Sequence, residues 1–309
     1  MYSIIDIGSN TIRLKVYAVE GSKIKTVFQS KDMTGLANYI TEENHLSCAG
    51  IERACAVLRE YAGILDSLGI GNRAVFATAS LRNVGNTAEA AAALSQAAGC
   101  PVDVISGRKE AVLDYVGATW GRESGSGLIV DIGGGSTELT FFDDGSVTRA
   151  VSVPIGSLNM FTGKVEWLLP TADERAKIQK RALREIRAAA PGAPARPVIC
   201  GVGGTARACL RLAQATFKPA PRDAAISAAM LDELLLRYSQ PSRETLRALL
   251  RTVPERIHTI LPGMIILSSV VRSFCSDRIE VSKYGVREGY LISEVLGLRR
   301  VDEHELDQS

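Results

Sequence analysis

Asp6-Ile7-Gly8-Ser9-Asn10-Thr11-Ile12-Arg13-Leu14 returns 125 residues later as Asp131-Ile132-Gly133-Gly134-Gly135-Ser136-Thr137-Glu138-Leu139. Each copy follows a short apolar run, Tyr2 to Ile5 or Leu128 to Val130, and leads into an alternating one, Leu14 to Val19 or Leu139 to Phe142. Each therefore reads as a β-hairpin whose tip is a tight turn of small residues.

Such a turn has a chemical use. Small residues let successive backbone N–H groups converge on one concavity that suits an anion, and an adjacent aspartate can hold a divalent cation. A single copy is equally well read as a hairpin that needs glycine. Two copies in matching context favour phosphate binding, with the turns facing each other across a cleft if the halves of the chain are structural duplicates.

At 309 residues, with 46% hydrophobic and 23% charged residues, the chain has the size of two domains and the composition of a globular protein. The net charge of +2 is too small to argue for nucleic acid or an acidic membrane surface. Asp6 interrupts the apolar opening before a signal-peptide core could form, and no run reaches 18 apolar residues, so a cytoplasmic protein without membrane contact is expected. Six scattered cysteines without Cys-x-x-Cys, and three distant histidines, indicate neither a disulfide framework nor a zinc site. Reduced core thiols are expected.

After the first hairpin, periodicity predicts strands at 23–30, 74–78 and 102–105 and helices at 49–68, 87–98 and 107–120. The polar, glycine-rich stretch from Gly121 to Gly127 marks a domain boundary, giving units of 1–122 and 123–309. Beyond the second hairpin come a basic helix at 172–190, with Leu183 and Ile186 on its apolar face, a strand at 198–201, and Gly203-Gly204-Thr205 turning into a helix near Ala206. Helices at 230–239, 243–251 and 263–274, a strand at 279–282 and a last helix at 286–298 complete the pattern, the last expected to pack back on the first domain. The charges of the basic helix fall on several faces, which reads as a solvated surface rather than a polyanion track.

Taken together, these segments resemble the exopolyphosphatase/guanosine pentaphosphate phosphohydrolase family, within the actin, sugar kinase and heat-shock ATPase superfamily. The resemblance is carried by the two hairpin turns together with Ala77-Thr78-Ala79-Ser80-Leu81-Arg82, Ile105-Ser106-Gly107 with Glu110-Ala111, Gly203-Gly204-Thr205-Ala206, Leu261-Pro262-Gly263 and Gly285-Val286-Arg287-Glu288-Gly289. It implies an α/β protein of two ribonuclease H-like (actin-like ATPase) domains with a cleft between them. It also implies Mg²⁺-dependent hydrolysis of a phosphoanhydride by water, either at the end of inorganic polyphosphate or at the 5′ γ-phosphate of guanosine pentaphosphate, and a capacity to form a homodimer. By resemblance Glu110 is the catalytic base, Asp131 and Glu138 are catalytic and metal-associated acids, and Asp6 is the equivalent metal acid of the first turn. Gly8, Ser9, Asn10, Gly134, Gly135 and Ser136 would cradle the terminal phosphate, Arg82 would clamp it, and Gly203 and Gly204 would approach it closely.

For Arg13, Arg207 and Arg287, next to motif turns, a structural ion pair is at least as good a reading. The chain departs from the family pattern at Lys109, Thr34 and His258, where the family commonly has an acid, a residue within Arg-Leu-Gly, and an aspartate. These departures keep a weakly catalytic sensor of polyphosphate or guanosine tetra- and pentaphosphate open beside the exopolyphosphatase reading. Phosphotransfer of the sugar or acetate kinase type is a further alternative.

Overall fold

A computed structural model describes residues 1–121, 125–218 and 224–299. The chain divides into two compact units, Met1–Glu110 and Ala111–Ser309. The boundary expected at 122/123 lies outside the described residues.

The first unit runs β1 (Tyr2–Ile7), β2 (Ile12–Glu20), β3 (Lys23–Asp32), α1 (Cys48–Ser67), β4 (Arg73–Ala77), α2 (Ala79–Arg82), α3 (Thr87–Ala98), β5 (Val102–Val104) and the start of α4 (Gly107–Ala118). Its sheet has the order β3-β2-β1-β4-β5, with β1 antiparallel to β2 and parallel to β4. The buried residues Ile5, Ile7, Leu14 and Val16 pack with Leu58, Tyr61 and Leu65 of α1 and Leu94 of α3. Ser47 starts α1 by accepting a hydrogen bond from the Gly50 amide on its hydroxyl, the satisfaction that an open helix end requires.

The second unit continues α4 and then runs β6 (Gly127–Ile132), β7 (Thr137–Asp143), β8 (Ser146–Val153), α5 (Ser157–Lys164), α6 (Ala172–Ala189), β9 (Val198–Val202) and α7 (Gly203–Thr216). It closes with β10 (Ala225–Ser227), α8 (Ala228–Tyr238), α9 (Arg243–Thr252), α10 (Ile260–Ser273), β11 (Arg278–Val281) and α11 (Val286–Tyr290). Its sheet has the order β10-β11-β9-β6-β7-β8. The same antiparallel triplet thus opens both units and a parallel strand follows it in both, β4 beside β1 and β9 beside β6. Even the register irregularity recurs at the same offset, between Val16 and Tyr17 in β2 and between Phe141 and Phe142 in β7.

Several expectations are adjusted by packing. Helix α6 buries Ile178, Ala182 and Ile186, with Leu183 only partly covered, and leaves Lys177, Lys180, Arg184 and Arg187 exposed. Helix α7 starts at Gly203 rather than near Ala206. The last helix is α-helical only to Tyr290, then widens into a π-type turn at Leu291–Val295, where the Leu296 amide donates to the Leu291 carbonyl. Of the six cysteines, all unbridged, Cys55 and Cys209 are buried, Cys48 and Cys275 are exposed, and burial pushes the Cys209 thiol up to about 12.

Helix α4 lies against α11 at backbone distance. A β-carbon on Gly117 would sit 2.2 Å from the Gly285 carbonyl oxygen, and one on Gly289 would sit 1.8 Å from that of Leu113. Both obstacles are main chain, so neither can rotate aside. Gly289→Ala is therefore expected to cost about 1–3 kcal/mol through overpacking. Gly63→Ala, in α1 with nothing within 4 Å of its β-carbon position, should instead stabilise by about 0.5–1 kcal/mol. Urea unfolding of the two variants beside the parent checks both signs.

Candidate active site

The hairpin turn of the second unit is held from one side. Helix α5 starts directly beneath it, and its first amides take the turn's carbonyls. Ser157 donates from both its amide (2.8 Å) and its hydroxyl (3.0 Å) to the Gly133 carbonyl. The amides of Leu158 (2.9 Å) and Asn159 (3.0 Å) donate to Gly134, and the Asn159 side-chain amide donates to Gly135 at 2.7 Å. In a trans peptide the N–H of the next residue points opposite to the carbonyl. The amides of Gly134, Gly135 and Ser136 therefore face away from α5, in the arrangement an anion nest requires. Gly156 permits this contact, because a β-carbon there would lie 2.3 Å from the Gly134 oxygen.

The first unit holds its turn in a comparable way. The amides of Ala37 (2.9 Å) and Gly35 (3.0 Å) donate to the Ser9 and Asn10 carbonyls, which turns the N–H groups of Asn10 and Thr11 the other way. Gly8 has a different part from the one expected of it. Its amide donates to the Thr11 carbonyl at 3.0 Å and closes the hairpin, as the Gly133 amide does to Ser136 at 2.9 Å.

Asp131 and Glu138 stand directly opposite each other on β6 and β7, so both side chains project from one face of the sheet. Glu138 is 1% exposed, and its Oε1 accepts from the Ser152 hydroxyl at 2.7 Å. The corresponding pair of the first unit is Asp6 opposite Arg13, an acid facing a base. Among the described residues, no group of three or more His, Cys, Asp or Glu could hold a metal ion. The Asp131–Glu138 pair nevertheless has the donor chemistry of Mg²⁺, which takes hard oxygens and is commonly held by one or two carboxylates with water and phosphate oxygens completing its shell.

Gly203 and Gly204 serve side chains of the protein itself. Gly203, at φ +72°, is where the Asp131 carboxylate lodges: a β-carbon would lie 2.0 Å from Oδ1. On Gly204 a β-carbon would meet the Arg256 guanidinium at 1.8 Å. Together the two glycines bring an acid and a base against the start of α7. Arg207, one turn along α7, joins them. Burial and the neighbouring Arg287 hold its guanidinium below the ordinary arginine value, against the opposite pull of Asp131 and Glu288. Burial likewise lowers Arg256, with Glu255 and Asp131 opposing. Sequence reading missed Arg256, whose signal is its place six residues before Pro262-Gly263. His258, two residues beyond it, is packed edge-on against Phe161 at 5.2 Å and is lowered by burial and by Arg256.

In the first unit, Arg82 donates from Nη1 to Glu110 Oε2 at 2.9 Å and to the Ile105 carbonyl at 3.2 Å. Glu110 is 8% exposed, in the first turn of α4, where the helix dipole also favours its anion. The expected clamp and the expected base are thus in contact. Lys109 is directed to Asp103, with Nζ 3.3 Å from Oδ2, and Thr34 is buried with its carbonyl accepting from Arg53 Nε at 3.3 Å.

Residues 15–298 match the family model described as the Ppx/GppA phosphatase family. Among solved structures, the Aquifex aeolicus member of that family is 25% identical, with 97% of this chain and 98% of that one covered and a TM-score of 0.80. An exopolyphosphatase-like protein superimposes with a TM-score of 0.84 at 24% identity, covering 96% of this chain and 99% of its own. An exopolyphosphatase from Cytophaga hutchinsonii gives 0.83 at 19% identity over 97% and 99% of the two chains. The last two show the fold, two α/β units of the actin-like ATPase type. With the match extending from β2 to beyond α11, the chain belongs to the Ppx/GppA phosphatase family.

Proposed function

We propose that the protein is an exopolyphosphatase, which removes the terminal phosphate of inorganic polyphosphate by attack of water with Mg²⁺ bound. The observation that carries this reading is the Gly134–Ser136 turn. The carbonyls of Gly134 and Gly135 are drawn to α5, the turn's amides face away, and the Asp131–Glu138 carboxylate pair stands on the strands that it joins. A phosphoryl transfer needs little else from a protein than donors for the phosphoryl oxygens, a cation, and a group that orients the water.

The turn amides supply the donors. Asp131 and Glu138 would hold the Mg²⁺, which supplies charge neutralisation at the phosphate oxygens when bound. Arg207, Arg256 and Arg287 favour a substrate with several negative charges. Cations gathered against their own repulsion and against burial are relieved by an anion.

Glu110 is the base in this reading. It accepts from Arg82 Nη1 at 2.9 Å, and a phosphate would offer that guanidinium another anionic partner. Guanosine pentaphosphate presents the same phosphoanhydride to the same groups and is the nearest competing substrate.

Glu110→Ala and Asp131→Asn should each lower kcat by about a hundredfold or more, the scale of removing a general base or a charge-stabilising acid, with unchanged circular dichroism. Phosphate release is measured on short polyphosphate, long polyphosphate, guanosine pentaphosphate and ATP in parallel, and fastest turnover on a polyphosphate is the expected result. Preference for guanosine pentaphosphate moves the protein to the other branch of the family, and silence on all four with retained binding makes it a sensor. Removing divalent ions with EDTA should abolish turnover and added Mg²⁺ should restore it. Full turnover in EDTA would remove the metal role from Asp131 and Glu138.

A further inference from the structure

Three strands place a single row of side chains across the second sheet. Asp131 on β6 is in register with Glu138 on β7, and Glu138 is in register with Ser152 on β8. Directly opposed residues of antiparallel strands project from the same face, so the three form a line. Within it the Ser152 hydroxyl donates to Glu138 Oε1 at 2.7 Å. Glu138 is 1% exposed, so water has little access to replace that donor.

The equivalent row of the first unit reads Asp6, Arg13, Lys31. That row contains no second carboxylate and no hydroxyl. The hydroxyl occurs where the duplicated framework carries a buried acid next to Asp131, and a hydrogen bond from a neutral hydroxyl to a carboxylate both fixes its rotation and stabilises its charged form.

We propose that Ser152 is a positioning residue for hydrolysis, fixing the rotation of the Glu138 carboxylate beside Asp131. The proposal rests on the reading in which Glu138 takes part in the reaction. Ser152 acts through Glu138 and needs no contact with substrate. Its loss should therefore lower kcat and leave KM for polyphosphate nearly unchanged, by about 10- to 100-fold if it behaves like other residues that orient a metal-associated ligand.

The test compares Ser152→Ala, Ser152→Thr and Glu138→Gln with the parent, measuring kcat and KM separately on polyphosphate with Mg²⁺. Threonine keeps the hydroxyl and suits a strand, so it should restore most of the turnover lost in the alanine variant. Loss of kcat in Ser152→Ala at nearly parental KM, with the threonine rescue, is the expected result. Parental kcat in Ser152→Ala, with Glu138→Gln inactive, would overturn the proposal and leave the role of Glu138 standing. Parental turnover in Glu138→Gln would overturn that role and the proposal with it. If the alanine variant does not fold, Ser152→Cys, close in size but a weak donor, carries the same comparison: lowered kcat supports the proposal and parental kcat overturns it.

Discussion

Three carbonyl groups, those of Gly133, Gly134 and Gly135, are drawn to the first residues of α5, and the second unit's candidate site depends on that capture. The open N-terminal amides of a helix need acceptors, and a glycine turn has carbonyls that need donors. Satisfying both at once leaves the turn one way to face. The peptide planes then aim the following amides away from the helix without any side chain being involved. Gly156 sets the separation, since any larger residue would push α5 off the Gly134 carbonyl. Asn159 locks the corner by accepting from the Gly156 amide at 2.7 Å while donating to Gly135.

The two units share a backbone and differ in chemistry. Pairing of the first two strands, turn closure and the register irregularity recur at one offset, so the first β-hairpin of each unit is duplicated to the residue. On that frame the row Asp6-Arg13-Lys31 became Asp131-Glu138-Ser152. The first row is an acid followed by two bases. The second gathers two acids, oxygen donors of the kind a divalent cation takes. One backbone thereby carries two different sets of charges in the same row.

The hairpins were legible because their signals are local: alternation on both sides of a run of small residues. Side-chain partners were less accessible. Ser152 lies 14 residues from Glu138 and meets it only through strand pairing, and Asn159 reaches Gly135 only once α5 is in place. Gly203 and Gly204 were recognised as close-approach glycines, but sequence could not show that Asp131 and Arg256 approach them. The compact units meet at Glu110/Ala111, inside the continuous helix α4. A polar loop is a boundary signal in sequence; a helix crossing from one unit into the next gives none. The change from α to π geometry after Tyr290 is equally silent, because side-chain periodicity hardly changes over one turn.

Several costly features of the second unit gather around Asp131. A left-handed glycine receives its carboxylate, a buried glutamate stands opposite, and two arginines lowered by burial lie within its electrostatic reach. A carboxylate or guanidinium removed from water loses hydration that packing does not replace, and apolar side chains in the same positions would stabilise the fold better. Around them Leu128, Val130, Leu139 and Phe141 pack on Ile178, Ile186 and Met264 as an ordinary apolar core. Charges gathered at the turn end of β6 and β7 therefore give up stability that the core beside them supplies, which is the cost a functional site imposes on a fold.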